Sequence, residues 1–383
     1  MNGKPKWLVD WFEKHEPKGR WAWLGSTYEA FHTFAFTPNR VTTSGSHVRD
    51  AIDLKRAMIT VVIALIPAML FGMWNIGYQH YLASPEPLPS SLPILTCFWF
   101  GFLRMLPILA VSYLVGLTIE FAFAQIRHHQ VNEGFLVTGF LIPMIVPVTT
   151  PLWQLALATA FAVVIGKEVF GGTGMNFLNP ALVARAFLFF SYPTRMSGDN
   201  VWIAADLWGT DAIAGATPLA ELAAGLRPSA SALDMFIGTI PGSTCETSVI
   251  AILLGALLLL LTGIASWRIM LSVILGGGLM GLVFNQVPFY YHYLMGGFMF
   301  GAVFMATDPV TAAQTNAGKW IYGFLIGAFA VMLRVMNPAY PEGMMLSILL
   351  MNCFAPLIDH CVIARNIKKR QRRALLSSKA TSR

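Results

Sequence analysis

A hydroxyl that ends a run of small residues is open to modification from outside, and Thr217 is such a hydroxyl. It closes Asp211-Ala212-Ile213-Ala214-Gly215-Ala216-Thr217 and is followed by Pro218 and Leu219. Gly215 and Ala216 let a bulky partner approach the backbone closely. The same residues also read as a helix start, with Thr217 at the N-cap, Pro218 at N1 and Glu221 in the first turns. Local physics alone favours that second reading. Asp308, in a broken segment before Pro309, and Asp359, late in the last apolar stretch, are chemically different candidates. A charge within or beside a membrane span is costly when unpaired, so each is a functional suspect by default. Gly171-Gly172-Thr173-Gly174 has the glycines of a phosphate loop but no preceding strand and no following Gly-Lys-Ser/Thr. It reads as a flexible connection. Asn176 and Asn179 come next, placed either to hold a ring or to cap the helix that opens near Pro180. Arg104 and Arg334 read as structural ion-pair partners.

The elements that position these groups are membrane helices. Of 383 residues, 56% are hydrophobic and 12% charged, against about a quarter charged in a soluble domain. Nine of the 26 Lys and Arg lie before residue 57 and eight from Arg365 onward. The formal net charge of +7 therefore sits at two basic ends around an apolar middle, which places both termini in the cytoplasm and requires an even number of spans. No basic, water-exposed domain suits nucleic acid. The first 56 residues lack the apolar core of a signal peptide. Cys97, Cys245, Cys353 and Cys361 form no CxxC pair and no zinc spacing; a single cysteine given to a site shared with another subunit stays open.

A walk along the apolar stretches predicts ten membrane segments: 57–78, 97–126, 134–147, 152–167, 180–190, 248–265, 267–284, 288–307, 320–336 and 343–362. The third is short, contains Pro143, and at 1.5 Å per residue falls below the hydrocarbon thickness of about 30 Å. It reads as a broken half-helix. The fold class is thus an all-α polytopic membrane protein. Its divisions are an N-terminal arm (1–56), a first membrane repeat (57–190), a polar loop (191–247), a second repeat (248–363) and a basic tail (364–383). The loop holds Asp199, Asp206, Asp211, Glu221, Asp234 and Glu246 against only Arg195 and Arg227, which assigns it to the extracytoplasmic face. The repeat reading rests on short matches in order. Gly134-Phe135 recurs as Gly297-Phe298, Pro147-Val148-Thr149 as Pro309-Val310-Thr311, Ala160-Phe161-Ala162-Val163 as Ala328-Phe329-Ala330-Val331, and Asn179-Pro180-Ala181 as Asn337-Pro338-Ala339. Five segments per repeat invert the second relative to the first, an arrangement that puts ion or substrate sites near the midplane.

Asp-x-x-x-Gly-Ala-Thr, ending at Thr217, resembles the acceptor motif of transferases that esterify FMN through its phosphate to threonine. Ser46-His47-Val48-Arg49-Asp50, Lys167-Glu168-Val169-Phe170-Gly171-Gly172-Thr173-Gly174, Asn176-Phe177-Leu178-Asn179-Pro180-Ala181-Leu182 and Ala355-Pro356-Leu357-Ile358-Asp359-His360 are similar to one family across essentially the whole chain. That family is the membrane-embedded B-type component of the Na⁺-translocating NADH:quinone oxidoreductase. The resemblance implies covalent FMN at Thr217, with Asp211, Gly215 and Ala216 recognised by a flavin transferase. It also implies a non-covalent riboflavin, for which Asn176 and Asn179 are candidates, and a quinone site, for which Glu133, Gly134 and Gly139 are candidates, the small residues reading also, and more readily, as helix-packing contacts. Sodium would meet Asp359 and Asp308. The implied setting is a six-subunit complex in the bacterial inner membrane. Electrons from NADH enter at another subunit and reach quinone as sodium leaves the cytoplasm. Two rivals remain at this point. The related D-type component of the Rnf complex shares the flavin motif but lacks so long an arm, and a secondary ion transporter would share the inverted repeats without flavin.

Overall fold

The computed structural model describes residues 54–83, 93–127, 134–199, 201–204, 215–337 and 342–381, with isolated positions before residue 54. Among the described residues there is no strand. The first five helices are α1 (Leu54–Leu82), α2 (Ile94–Arg127), α3 (Gly134–Ile145), α4 (Leu152–Val164) and α5 (Pro180–Ser191). Three short helices follow, α6 (Pro193–Met196), α7 (Pro218–Ala223) and α8 (Ala232–Ile237). Then come α9 (Val249–Leu261), α10 (Trp267–Phe284), α11 (Tyr291–Leu294), α12 (Phe298–Phe300) running into a π turn (Gly301–Met305), α13 (Asn316–Met336) and α14 (Gly343–Thr381). Six helices are long and apolar enough to cross a membrane, and α3, α5 and α9 are shorter apolar helices. With the broken α12 segment these account for all ten expected stretches. The last helix does not stop at residue 363. It continues through the basic stretch to Thr381, because Arg and Lys are good helix formers and no Gly or Pro interrupts them.

The five-element order recurs, and so do particular contacts. The Phe135 ring, just inside α3, fills the space where a Cβ on Gly116 of α2 would lie, and Phe298 of α12 does the same to Gly277 of α10. A cation stands over each ring: Lys167 at 6.0 Å from Phe135 and Arg334 at 5.6 Å from Phe298. Pro147-Val148-Thr149 and Pro309-Val310-Thr311 both lie where a broken helix turns. The fourth sequence match behaves differently. Asn179 caps the start of α5, whereas Asn337 ends α13, and Pro338 and Ala339 lie outside the described residues.

A helix that breaks among apolar residues leaves carbonyls that lipid cannot satisfy. Here the polar segment before α9 satisfies them. The Cys245 N–H donates to Met144 O at 3.0 Å, and the Thr244 hydroxyl donates to Val146 O at 2.5 Å. In the second half the chain breaks at Gly296, whose φ of 62° is left-handed. Arg334 donates to His292 O at 2.6 Å and Met295 O at 3.0 Å there. So Arg334 clamps carbonyls at a helix end, where a cation is favoured; among the described residues it makes no close ion pair of the kind read from sequence.

The two halves meet along α1 and α9. A Cβ on Gly255 would lie 2.2 Å from the Ala64 carbonyl oxygen and 2.7 Å from the Phe304 ring. Small residues bring membrane helices this close. Gly255→Ala is expected to cost about 1–3 kcal/mol through overpacking, read as a lower melting midpoint of the detergent-solubilised protein. An unchanged midpoint would show that this seam is loose.

Candidate functional site

Among the described residues, two cavities adjoin the candidate residues. The larger, about 410 Å³, is within the roughly 300–1,000 Å³ range of small-molecule pockets. The starts of α1 and α3, the 167–180 connection, the end of α9 and the bend after the π turn enclose it. Its wall is mostly apolar, with Lys167, Asn176, Asn179 and Asp308 supplying polar groups. Lys167 and Glu120 of α2 are both about 4% exposed and form an ion pair. Next to them Arg127 pairs with Glu168 at 3.6 Å. Sequence reading passed over Glu120 and Lys167. The signal was present: each is a charge set in an apolar stretch, the criterion that singled out Asp308.

Asn179 accepts hydrogen bonds from the N–H groups of Ala181 and Leu182 at 3.0 and 3.4 Å, a standard N-cap with Pro180 at N1. Asn176 does not cap. It accepts from Gly174 N at 3.3 Å and donates to Leu178 O at 3.0 Å, holding the turn that forms the cavity wall. Gly171, Gly172 and Gly174 all have positive φ, so this turn requires glycine. Gly134 lines the cavity, and a Cβ there would meet Thr173 at 2.7 Å. Gly139 does not reach it. Its carbonyl accepts from Ser112 of α2 at 2.9 Å, and its bare Cα faces Phe135 and Tyr113, so it belongs to a helix seam. Glu133 lies outside the described residues.

Asp308 and Asp359 have separate duties. Asp308 accepts from Val310 N at 3.2 Å and Thr311 Oγ1 at 2.9 Å at the cavity wall. Asp359, on α14, accepts from Gln314 N at 2.6 Å, Thr315 N at 3.0 Å and Thr315 Oγ1 at 2.5 Å. It sits at the N-terminus of α13, where backbone N–H groups and the helix dipole favour a carboxylate.

The second cavity is a cleft of about 80 Å³ beside Thr217. Thr217 caps α7, its oxygen accepting from Ala220 N at 3.1 Å. The residue remains half-buried rather than enclosed. Gly215 is held by Asp199 O at 2.9 Å, and a Cβ on it would strike Ile203 at 2.4 Å. Ala216 is exposed, while Asp211 lies outside the described residues. The supposed loop packs Leu219, Met235 and Ile240 against Val287 and Met295 of the segment after α10 in a small second core. Asn75 and His80 of α1 tie it down, donating to Ile240 O at 3.0 Å and approaching Ala204 O at 2.8 Å.

Under the cleft lies a charge cluster that sequence reading also missed. Arg185 of α5 donates to Glu246 at 2.8 Å and to Ser243 at 3.2 Å, and pairs with Glu342. Arg185 and Glu246 are buried, and among the described residues one Glu246 carboxylate oxygen has no hydrogen-bond partner. Glu342 precedes α14, and burial pushes its carboxyl up to about 7 against the pull of Arg185. Three distant segments converge here, which no local pattern announces.

The molecule is therefore a polytopic helical membrane protein with a ligand-sized cavity and, separately, the half-buried Thr217 beside a smaller, mostly apolar cleft. Residues 41–368 match the family model described as NQR2, RnfD, RnfE family, and the chain belongs to that family. Among its relatives are the B-type components of Na(+)-translocating NADH-quinone reductases. The chain is 51% identical to the one from Ectopseudomonas mendocina, over 94% of this chain and 96% of that protein. The same-named proteins of Stutzerimonas stutzeri and Chromohalobacter salexigens are 49% and 47% identical, covering 95% and 98% of this chain and 98% of each relative.

Proposed function

We propose that this chain is the B-type membrane component of a sodium-pumping NADH:quinone oxidoreductase, carrying FMN esterified to Thr217 and a non-covalent riboflavin. It serves as one of six subunits, in the bacterial inner membrane, with both termini cytoplasmic and residues 191–247 outside. The observation that carries this reading is the placement of Thr217: a half-buried hydroxyl at the lip of a small cleft, in a chain half identical over its length to proteins named for that reaction. Bound flavin supplies the electron transfer itself.

The chain's own residues position and insulate. The larger cavity suits a riboflavin: its apolar wall covers a flat ring, while Lys167 and Asn176 meet polar edges. Glu120 pairs with Lys167 and holds its side chain in place among apolar neighbours. The Gly134 end of the cavity is assigned to quinone. Of the two aspartates, Asp308 faces the cavity and is assigned to sodium; Asp359 is committed to α13. Both halves place a broken helix beside a cavity, as expected where ions cross at the midplane of inverted repeats.

Flavin analysis of the purified complex tests the whole reading. One acid-stable flavin on the peptide containing Thr217, and one acid-extractable riboflavin, are expected per chain. A colourless, fully folded protein would instead establish an ion transporter without redox chemistry.

A further inference from the structure

The far end of α14 carries charge that its own chain does not answer. Arg365, Lys368, Lys369, Arg370, Arg372 and Arg373 fall within nine residues, and no Asp or Glu follows Asp359. All six are exposed, and among the described residues none has an ion-pair partner. The helix does not scatter them. At 3.6 residues per turn, Arg365, Lys368, Lys369, Arg372 and Arg373 share an arc of about 140° on one face. Like charges three and four residues apart repel one another, yet the segment is helical throughout. An anionic neighbour outside the chain would relieve that repulsion.

Position along the helix selects the neighbour. Ile363 and Ile367, one turn apart, are both close to half exposed. They extend the apolar surface of the span into the first turn of cations, so acyl chains reach this level of α14. The cations begin between the two isoleucines and continue for about 12 Å at 1.5 Å per residue. The headgroup layer of one leaflet is roughly 5–8 Å thick, and long Lys and Arg side chains bend to keep their charged ends in it. A soluble acidic protein would meet only the outer end of such a strip, whereas lipid phosphates surround its beginning. We propose that the basic strip from Arg365 to Arg373 binds the anionic headgroups of the phospholipids that surround α14.

Photolabelling of the intact complex tests this. The complex is placed in phosphatidylcholine bilayers with a trace of photoreactive lipid, either phosphatidylglycerol or phosphatidylcholine, and peptides from residues 361–376 are weighed for adducts. The anionic probe should label this stretch about tenfold more than the zwitterionic one, since each cation near the surface adds to the attraction. Replacing four cations together (Arg365→Gln, Lys368→Gln, Lys369→Gln and Arg372→Gln) should abolish that excess, and Gln keeps the helix propensity of the residues it replaces. Equal labelling by the two probes in the wild type would overturn the proposal, whatever the variant does. Displacement of the anionic probe by inorganic phosphate would also overturn it, assigning the strip to a free anion. Carbodiimide coupling of Lys368 or Lys369 to an acidic segment of another subunit would assign it to a protein partner instead.

Discussion

Thr217→Ala is expected to abolish covalent flavin on this chain and to reduce quinone reduction by the complex to background. The substitution removes the only atom of that side chain able to form a phosphoester. It also removes the α7 cap, since the Thr217 oxygen accepts from Ala220 N at 3.1 Å. Losing such a cap costs about 1 kcal/mol. That cost is small for the whole protein because α7 is anchored separately: Leu219 lies in the small core with Met235, Ile240 and Met295, and Glu221 binds Ser229 through N and Oγ, both at 2.7 Å. Thr217→Ser separates the two effects. Serine keeps the oxygen for capping, so its helix and melting midpoint should match wild type whether or not it is esterified. The measurement is in-gel fluorescence of the denatured chain, made alongside quinone-reductase turnover. A Thr217→Ala band that still fluoresces would move the attachment elsewhere.

Thr217 shows where sequence is informative and where it is silent. Its helix-start pattern, with Pro218 at N1 and Glu221 in the first turn, is local chemistry, and the structure forms that cap. The ten apolar stretches were legible for the same reason: span length and composition are properties of contiguous residues. Asn179 likewise declares its cap through the Pro that follows. The ion pairs are another matter. Glu120 and Lys167 are 47 residues apart, Arg185 and Glu342 are 157 apart, and the pairing depends on how helices cross. Asp359 is instructive in the opposite direction. A carboxylate late in an apolar helix reads as an ion-site candidate; what the sequence does not announce is that it also accepts from the N–H groups of Gln314 and Thr315, brought to it by packing of α13 on α14. Such a tertiary cap has no sequence signature. Gly139 was read with Gly134 because they share a segment, yet helix periodicity turns one to the cavity and the other to α2.

Arg185→Met is expected to be the most destabilising single substitution in the membrane core, costing about 3–5 kcal/mol because it strands a buried carboxylate without its partner. That is a large fraction of the roughly 5–15 kcal/mol by which proteins are stable, so little assembled protein should accumulate. Glu246 bears most of the loss. It is buried, and its only hydrogen-bonded oxygen is the one that Arg185 reaches at 2.8 Å. Glu342 suffers less, since its side chain is 20% exposed and it can take up a proton. The double variant Arg185→Met with Glu246→Met should therefore recover most of the stability, because replacing a buried pair by apolar residues of similar size is often neutral or better. Thermal melting of the wild type, the single and the double variants measures this directly. If the double variant loses as much stability as the single one, a stranded Glu246 is not the cause of the loss; if neither loses any, α5 is held by packing alone.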